Sequence, residues 1–186
     1  MPIQAERSRA SAKTAAGQDK TRSGRATLVT TFYADPEPAR RAELVECLRR
    51  NAANEHIVEI HVFLEDGVAP ELEHEKLRLV EHWRRVTYRD LFDFANEQLP
   101  RRRVAIANAD IYFDETLGRL EGYDLAGRLL CLSRWNVTPE GIAYLFEHPA
   151  SQDAWIFETP LRTFPCEFHL GVPGCDNRLA WRRTQL

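Results

Sequence analysis

Three observations predict an α/β protein built on a mainly parallel sheet flanked by helices. β-rich runs alternate with helix-spaced runs from residue 27 to about residue 110. Several of those runs stop at Asp or Asn, the residues that start turns where a strand leaves a core. The chain has 186 residues, 44% of them hydrophobic, enough for one substantial core. Strands separated by helices need crossover connections, and crossovers favour parallel pairing.

The elements follow in order. "TLVTTFYA", 27–34, is rich in β-branched and aromatic residues and ends at Asp35-Pro36, a strand running into a turn. "EPARRAELVECLRRNAAN" places Ala39, Ala42, Leu44, Val45 and Leu48 at helical spacing, with its arginines mostly outward. "HIVEIHVFLEDG", 56–67, is a second strand stopping at Asp66-Gly67. "PELEHEKLRLVEHW", 70–83, suggests a short helix with a thin apolar face, and "RRVTY", 84–88, a short strand. "DLFDFANEQLP" carries Leu91, Phe92, Ala95 and Leu99 on one helical face, with Asp90 as cap and Pro100 as stop. "VAIA", 104–107, is a buried strand, followed by a turn that Asp114 caps. The second half is less regular: "RLLCLSRW" and "DAWIF" read as strands and "NRLAWRR" as a terminal helix.

Charge is unevenly spread. Residues 1–26 hold six Lys or Arg against Glu6 and Asp19, with little that is large and apolar, so they are expected to be a disordered basic tail ahead of a domain from 27 to 186. The net charge is −3, which gives no reason to expect nucleic acid as a partner. No apolar run approaches the ~20 residues that span a bilayer. Cys47, Cys131, Cys166 and Cys175 lack CxxC spacing and read as reduced thiols of a cytoplasmic protein, with Cys166 and Cys175 free to pair or not.

The candidate chemistry lies at strand ends. Open parallel sheets bind ligands beyond the carboxyl ends of their strands, and Asp35, Asp66, Asn108 and Asp110 all fall there. Asn108 and Asp110 are two apart, so an extended backbone projects them to the same side. A carboxylate leaving a core needs water, donors or a cation. By themselves these residues leave a divalent metal and an ordinary turn both open. Asp153 in "SQD" reads equally as a general base or a turn residue, and Asp176 in "GVPGCDNR" as an anion site or a helix cap. Arg134 ends a strand and offers a bidentate donor to a diphosphate, or a stack on Trp135. Arg101, Arg102 and Arg103 precede their strand and read as solvated charge. The six histidines form no ligand set, and no GxSxG, P-loop or GxGxxG is present. His74 and His82 fall on the expected polar helix, and His169 near the candidate site reads as packing.

"NADIYFD", "LCLSRW", "SQDAWIF" and "LGVPGCDNRLA", in that order, resemble a family of small bacterial and algal-virus glycosyltransferase-like proteins with the GT-A nucleotide-sugar-binding fold. The resemblance spans roughly residues 27–180. It implies that Asn108-Ala109-Asp110 stands where such enzymes carry an acidic DxD, with Asp110 holding Mn²⁺ or Mg²⁺ on the donor diphosphate and Asn108 bonding ribose or sugar. It further implies Asp153 as catalytic base in an inverting transfer to a glycan or other hydroxyl acceptor. Asp176 and Asn177 would orient hydroxyls, and Asp35 and Asp66 would contact the donor, beside Arg134, expected there from its place at a strand end. The implied setting is cell-envelope or surface polysaccharide synthesis. Relatives continue beyond the last helix, so the resemblance also implies a short C-terminus here. The competing expectation is a nucleotide-sugar-binding or interaction module without turnover.

Overall fold

The structure, a computed structural model, describes residues 24–138, 140–148 and 151–184. Among them no helix is long and apolar enough to cross a membrane. The basic tail expected over 1–26 falls outside the described residues except for its last three.

The first strand, β1 (Ala26–Phe32), is buried along its whole length, as a central strand of a two-faced sheet must be. The helix α1 (Pro38–Ala53) follows, with proline near its start, where the missing N–H costs nothing. Next come β2 (Ile57–Leu64), β3 (Leu77–Glu81), α2 (Tyr88–Gln98) and β4 (Arg103–Ala107). A 3₁₀ turn over Glu115–Gly122 is capped by the Asp114 carboxylate on Thr116 N–H. The second half contains β5 (Leu129–Leu132), β6 (Trp135–Val137), β7 (Ala143–Leu145), β8 (Ala154–Glu158) and α3 (Cys175–Arg183).

Six strands form one sheet in the order β3-β2-β1-β4-β8-β5. β1 pairs in parallel with β2 and β4, and β2 with β3. β8 runs against both of its neighbours, which leaves β5 pointing the same way as the parallel set. The predicted mainly parallel sheet flanked by helices is therefore what forms. Alternate residues feed its two faces. Val29, Phe63, Val104, Ile106, Trp155 and Phe157 pack under α2 and α3 through Leu91, Phe92, Ala95 and Leu179. Leu28, Ile60, Val62, Ala105 and Ile156 pack under α1 and the 3₁₀ turn through Leu44, Leu48 and Leu117.

Several expectations need correction. Residues 70–83 form no helix; Leu77–Glu81 is edge strand β3, so His74 and His82 do not share a helical face. The thin apolar face gave a helix too little to bury, whereas an extended chain completes the sheet beside β2. Residues 84–88 form no strand: Val86 is buried, and Thr87 makes an isolated bridge to His169 while capping α2. Asp90 is not the cap itself but its reciprocal partner, with Thr87 and Asp90 forming a capping box. Arg103 is not solvated charge. It is 4% exposed, donates to the carbonyls of Gly24, Leu120 and Tyr123, and pairs with Glu158 at 2.8 Å. It ties the 3₁₀ turn to the amino end of β4. The hairpin β6–β7 was not expected at all. Every cysteine is a free thiol, with Cys47 and Cys166 pushed up to about 12 chiefly by burial.

Candidate functional site

The carboxyl ends of β1, β2 and β4 open onto a cleft of about 580 Å³. β1 contributes Thr31 and Tyr33, β2 leads into Glu65 and Asp66, and β4 leads into Asn108, Ala109 and Asp110. Arg40 reaches in from the first turn of α1, and Arg85, Leu170 and Gly171 close the opposite wall. This is where an open parallel sheet offers backbone ends and helix starts to a ligand.

The turn after β4 is built by the backbone. Asn108 N–H donates to the Asp153 carbonyl at 3.1 Å, and Ile111 N–H donates back to the Asn108 carbonyl at 3.1 Å. That turn carries Asp110 to the cleft, where its Oδ2 receives Arg40 Nη2 at 2.6 Å. Arg40 also donates to Glu43 at 2.6 Å. Partial burial disfavours its charge, but the bonds to Asp110 and Glu43 more than offset this and hold it above the ordinary guanidinium range. Arg40 was among the arginines expected to face outward; instead it lies in the cleft.

Asp66 accepts from Ala34 N–H at 2.7 Å and Val68 N–H at 3.0 Å, clamping the β1 and β2 exits together. Asp35 accepts from Glu37 N–H at 2.9 Å and stands outside the cleft lining, at the start of α1. Glu65 accepts from Val86 N–H at 2.8 Å. Burial pushes its carboxyl above the usual range, with that N–H acting the other way.

Asp153 lies beside the cleft rather than in its lining. It is 8% exposed, and its two carboxylate oxygens accept Asn108 Nδ2 and Arg134 Nη1, each at 3.0 Å. Arg134 also donates to Asn136 and stacks on Phe146, not on Trp135. Asp176, in the first turn of α3, accepts from Gln152 N–H at 3.0 Å. Asn177 is exposed on the same turn, outside the lining. A relay of bonds connects the three acids, since Asn108 holds Asp153 and Asp176 holds the residue before it, but of the three Asp110 alone stands in the cleft lining. The Tyr88 hydroxyl touches Cys175 Sγ at 3.3 Å, and burial drives its pKa far up.

The single carboxylate of Asp110 is too small a donor set to hold a resident metal ion by itself. Among the described residues, no three His, Cys, Asp or Glu groups come together to hold a metal ion. Asp110 supplies one carboxylate, and Asn108 Oδ1 is a buried amide oxygen without a hydrogen-bond partner among the described residues. Mg²⁺ sites on phosphate substrates commonly use one or two carboxylates and complete their shell with phosphate oxygens and water.

Sequence reasoning missed Arg40, Arg85 and Glu65. Glu43, three residues on, gives Arg40 a local partner, so its spacing reads as a solvated helix face and nothing near it in sequence points to Asp110. Arg85 and Glu65 gave no signal either.

No family model matches the chain, and no curated protein matches it in sequence. Among solved structures it is similar to 4-diphosphocytidyl-2C-methyl-D-erythritol synthase from Anaerococcus prevotii. That likeness has 13% identity and a TM-score of 0.39, over 73% of this chain and 70% of that one.

Proposed function

We propose that the cleft binds a nucleoside-diphosphate sugar and that the chain transfers the sugar to an acceptor hydroxyl. One observation carries this reading. Asn108 and Asp110 leave β4 into a cleft at the carboxyl end of a parallel sheet, facing Arg40 and Arg85. The chemistry asks for that arrangement. The bond between the anomeric carbon and a diphosphate oxygen breaks, and the diphosphate leaves with an added negative charge that cations must stabilise. A divalent cation held by Asp110 together with the donor phosphates would supply part of that charge. The Arg40 and Arg85 guanidiniums would supply the rest.

The acceptor oxygen attacks the anomeric carbon from the opposite face, which inverts its configuration, and its proton passes to a carboxylate. Asp153 is the carboxylate proposed for this role. Arg134 and Asn108 fix its orientation, and an ionised carboxylate has about four lone-pair positions, so two remain. Asp66 keeps the β1 and β2 exits in register, and Asp176 keeps the 151–153 segment against α3. Asp35 and Asn177 are proposed as outer contacts to donor and acceptor. Synthesis of an envelope polysaccharide is the setting that fits such a transfer.

A second reading, a binding module without turnover, draws support from Asp153 itself, which is nearly buried and already holds two donors. Thermal-shift screening of nucleoside-diphosphate sugars, with and without Mn²⁺, tests donor binding. The expected result is stabilisation by one donor class, dependent on Mn²⁺ and lost in Asp110→Ala. Absence of any shift across all donors overturns the reading. Donor hydrolysis that Asp153→Asn slows by about 100-fold or more, with binding retained, assigns turnover; donor binding without hydrolysis or transfer in the parent chain assigns the module.

A further inference from the structure

Of the five charged residues lining the cleft, three are fastened to backbone. Asp66 takes the N–H groups of Ala34 and Val68, and Glu65 takes that of Val86. Arg85 donates to the carbonyls of Leu170 and Gly171 at 3.3 and 3.2 Å. Arg40 and Asp110 instead hold each other side chain to side chain at 2.6 Å, with side chains 34% and 33% exposed. A ligand can break that bond without disturbing any strand or turn.

The charge balance says what kind of ligand gains by breaking it. The lining sets the Asp66 and Asp110 carboxyl groups against the Arg40 and Arg85 guanidiniums, with Glu65 favoured neutral by burial, so a diphosphate entering alone meets no excess of positive charge. A diphosphate carrying a divalent cation offers each member of the pair a better partner. The cation matches the Asp110 carboxylate, and the phosphate oxygens match the fork of Arg40. Arg40 also stands in the first turn of α1, where the helix favours an anion over a cation.

We infer that Arg40 is an exchangeable counter-ion: it masks Asp110 against free divalent cations and turns onto the diphosphate when a cation–diphosphate complex enters. This rests on the donor-site reading above. Its consequence is ordered selection, because the cleft rejects cation alone and diphosphate alone but accepts the two together.

Two titrations on the full chain test it. Free Mn²⁺, followed by its EPR signal, should bind Arg40→Gln about three- to ten-fold more tightly than the parent, since removing a partly exposed ion-pair partner releases the carboxylate. Mn²⁺-pyrophosphate, followed by calorimetry, should bind Arg40→Gln more weakly than the parent by a similar factor. Asp110→Asn should abolish the Mn²⁺ gain when combined with Arg40→Gln. Arg40→Lys, which keeps the charge but not the fork, should restore the mask more fully than the pyrophosphate affinity. Melting curves matching the parent's confirm that each variant folds. Unchanged or weaker Mn²⁺ binding by Arg40→Gln overturns the masking role. If pyrophosphate complexes and nucleoside-diphosphate sugars bind no variant, parent included, the donor site itself is wrong, and a Mn²⁺ gain in Arg40→Gln would then show the mask surviving without it.

Discussion

Glu65 follows the last residue of β2 and accepts Val86 N–H from the opposite wall of the cleft. Burial favours its neutral form, so the folded chain holds this proton more tightly than the unfolded chain does. The resulting stabilisation is complete below the ordinary carboxylate pKa and is lost as pH rises through the elevated folded value. Glu65→Gln keeps an acceptor for Val86 and removes the buried charge. Its melting temperature relative to the parent should therefore increase as pH rises from the ordinary carboxylate pKa through the elevated folded value. A difference that stays flat with pH, read by thermal melts across that range, would refute the buried-charge account. Arg103 illustrates the contrasting case, in which a buried charge is matched by Glu158 and three carbonyls. Breaking such a set leaves several orphaned acceptors, which explains why an arginine stands in an otherwise apolar strand.

At the scale of elements, α2 shows how local chemistry fixes a boundary. Thr87 Oγ1 accepts Asp90 N–H, and the Asp90 carboxylate accepts Thr87 N–H at 2.8 Å, so two otherwise orphaned donors are satisfied. Arg84 closes on the same carboxylate at 2.7 Å. Thr87→Ala should lower stability by ~1 kcal/mol and Thr87→Ser by less, measured by denaturant unfolding. Equal losses in the two variants would mean that the methyl group, not the hydroxyl, matters. The cap also fixes where the chain turns from β3 toward the cleft, since Val86 and Arg85 lie just before it.

Across the whole molecule, cohesion is uneven. The strands β1, β4 and β8 carry residues fully removed from water on both faces. The hairpin β6–β7 is joined to the rest differently. Its Trp135, Val137 and Leu145 are 61%, 42% and 45% exposed, and among the described residues its strands pair with each other and with no third strand. Native-state hydrogen exchange should therefore show hairpin amides exchanging first by local opening, and amides of β1 and β4 last, at the rate of global unfolding. Hairpin amides as protected as those of β4 would show that its apolar face is covered in solution.

How much of this was written in the sequence depends on the range of the forces involved. Local pattern was enough for the α/β class, the parallel half of the sheet, the capping of the 3₁₀ turn by Asp114 and the placing of Asn108 and Asp110 at a strand end. Each rests on periodicity or turn chemistry within a few residues. Long-range packing set the rest: Leu77–Glu81 completes a sheet edge, Arg103 is buried, and Arg40 meets Asp110 seventy positions away. The same holds for Asp153, whose partners come from the segments that follow β4 and β5. A charge gives no local sign of its partner: its pattern in sequence is that of a solvated face, and its role emerges when packing removes water from one side and leaves another charge as its best neighbour.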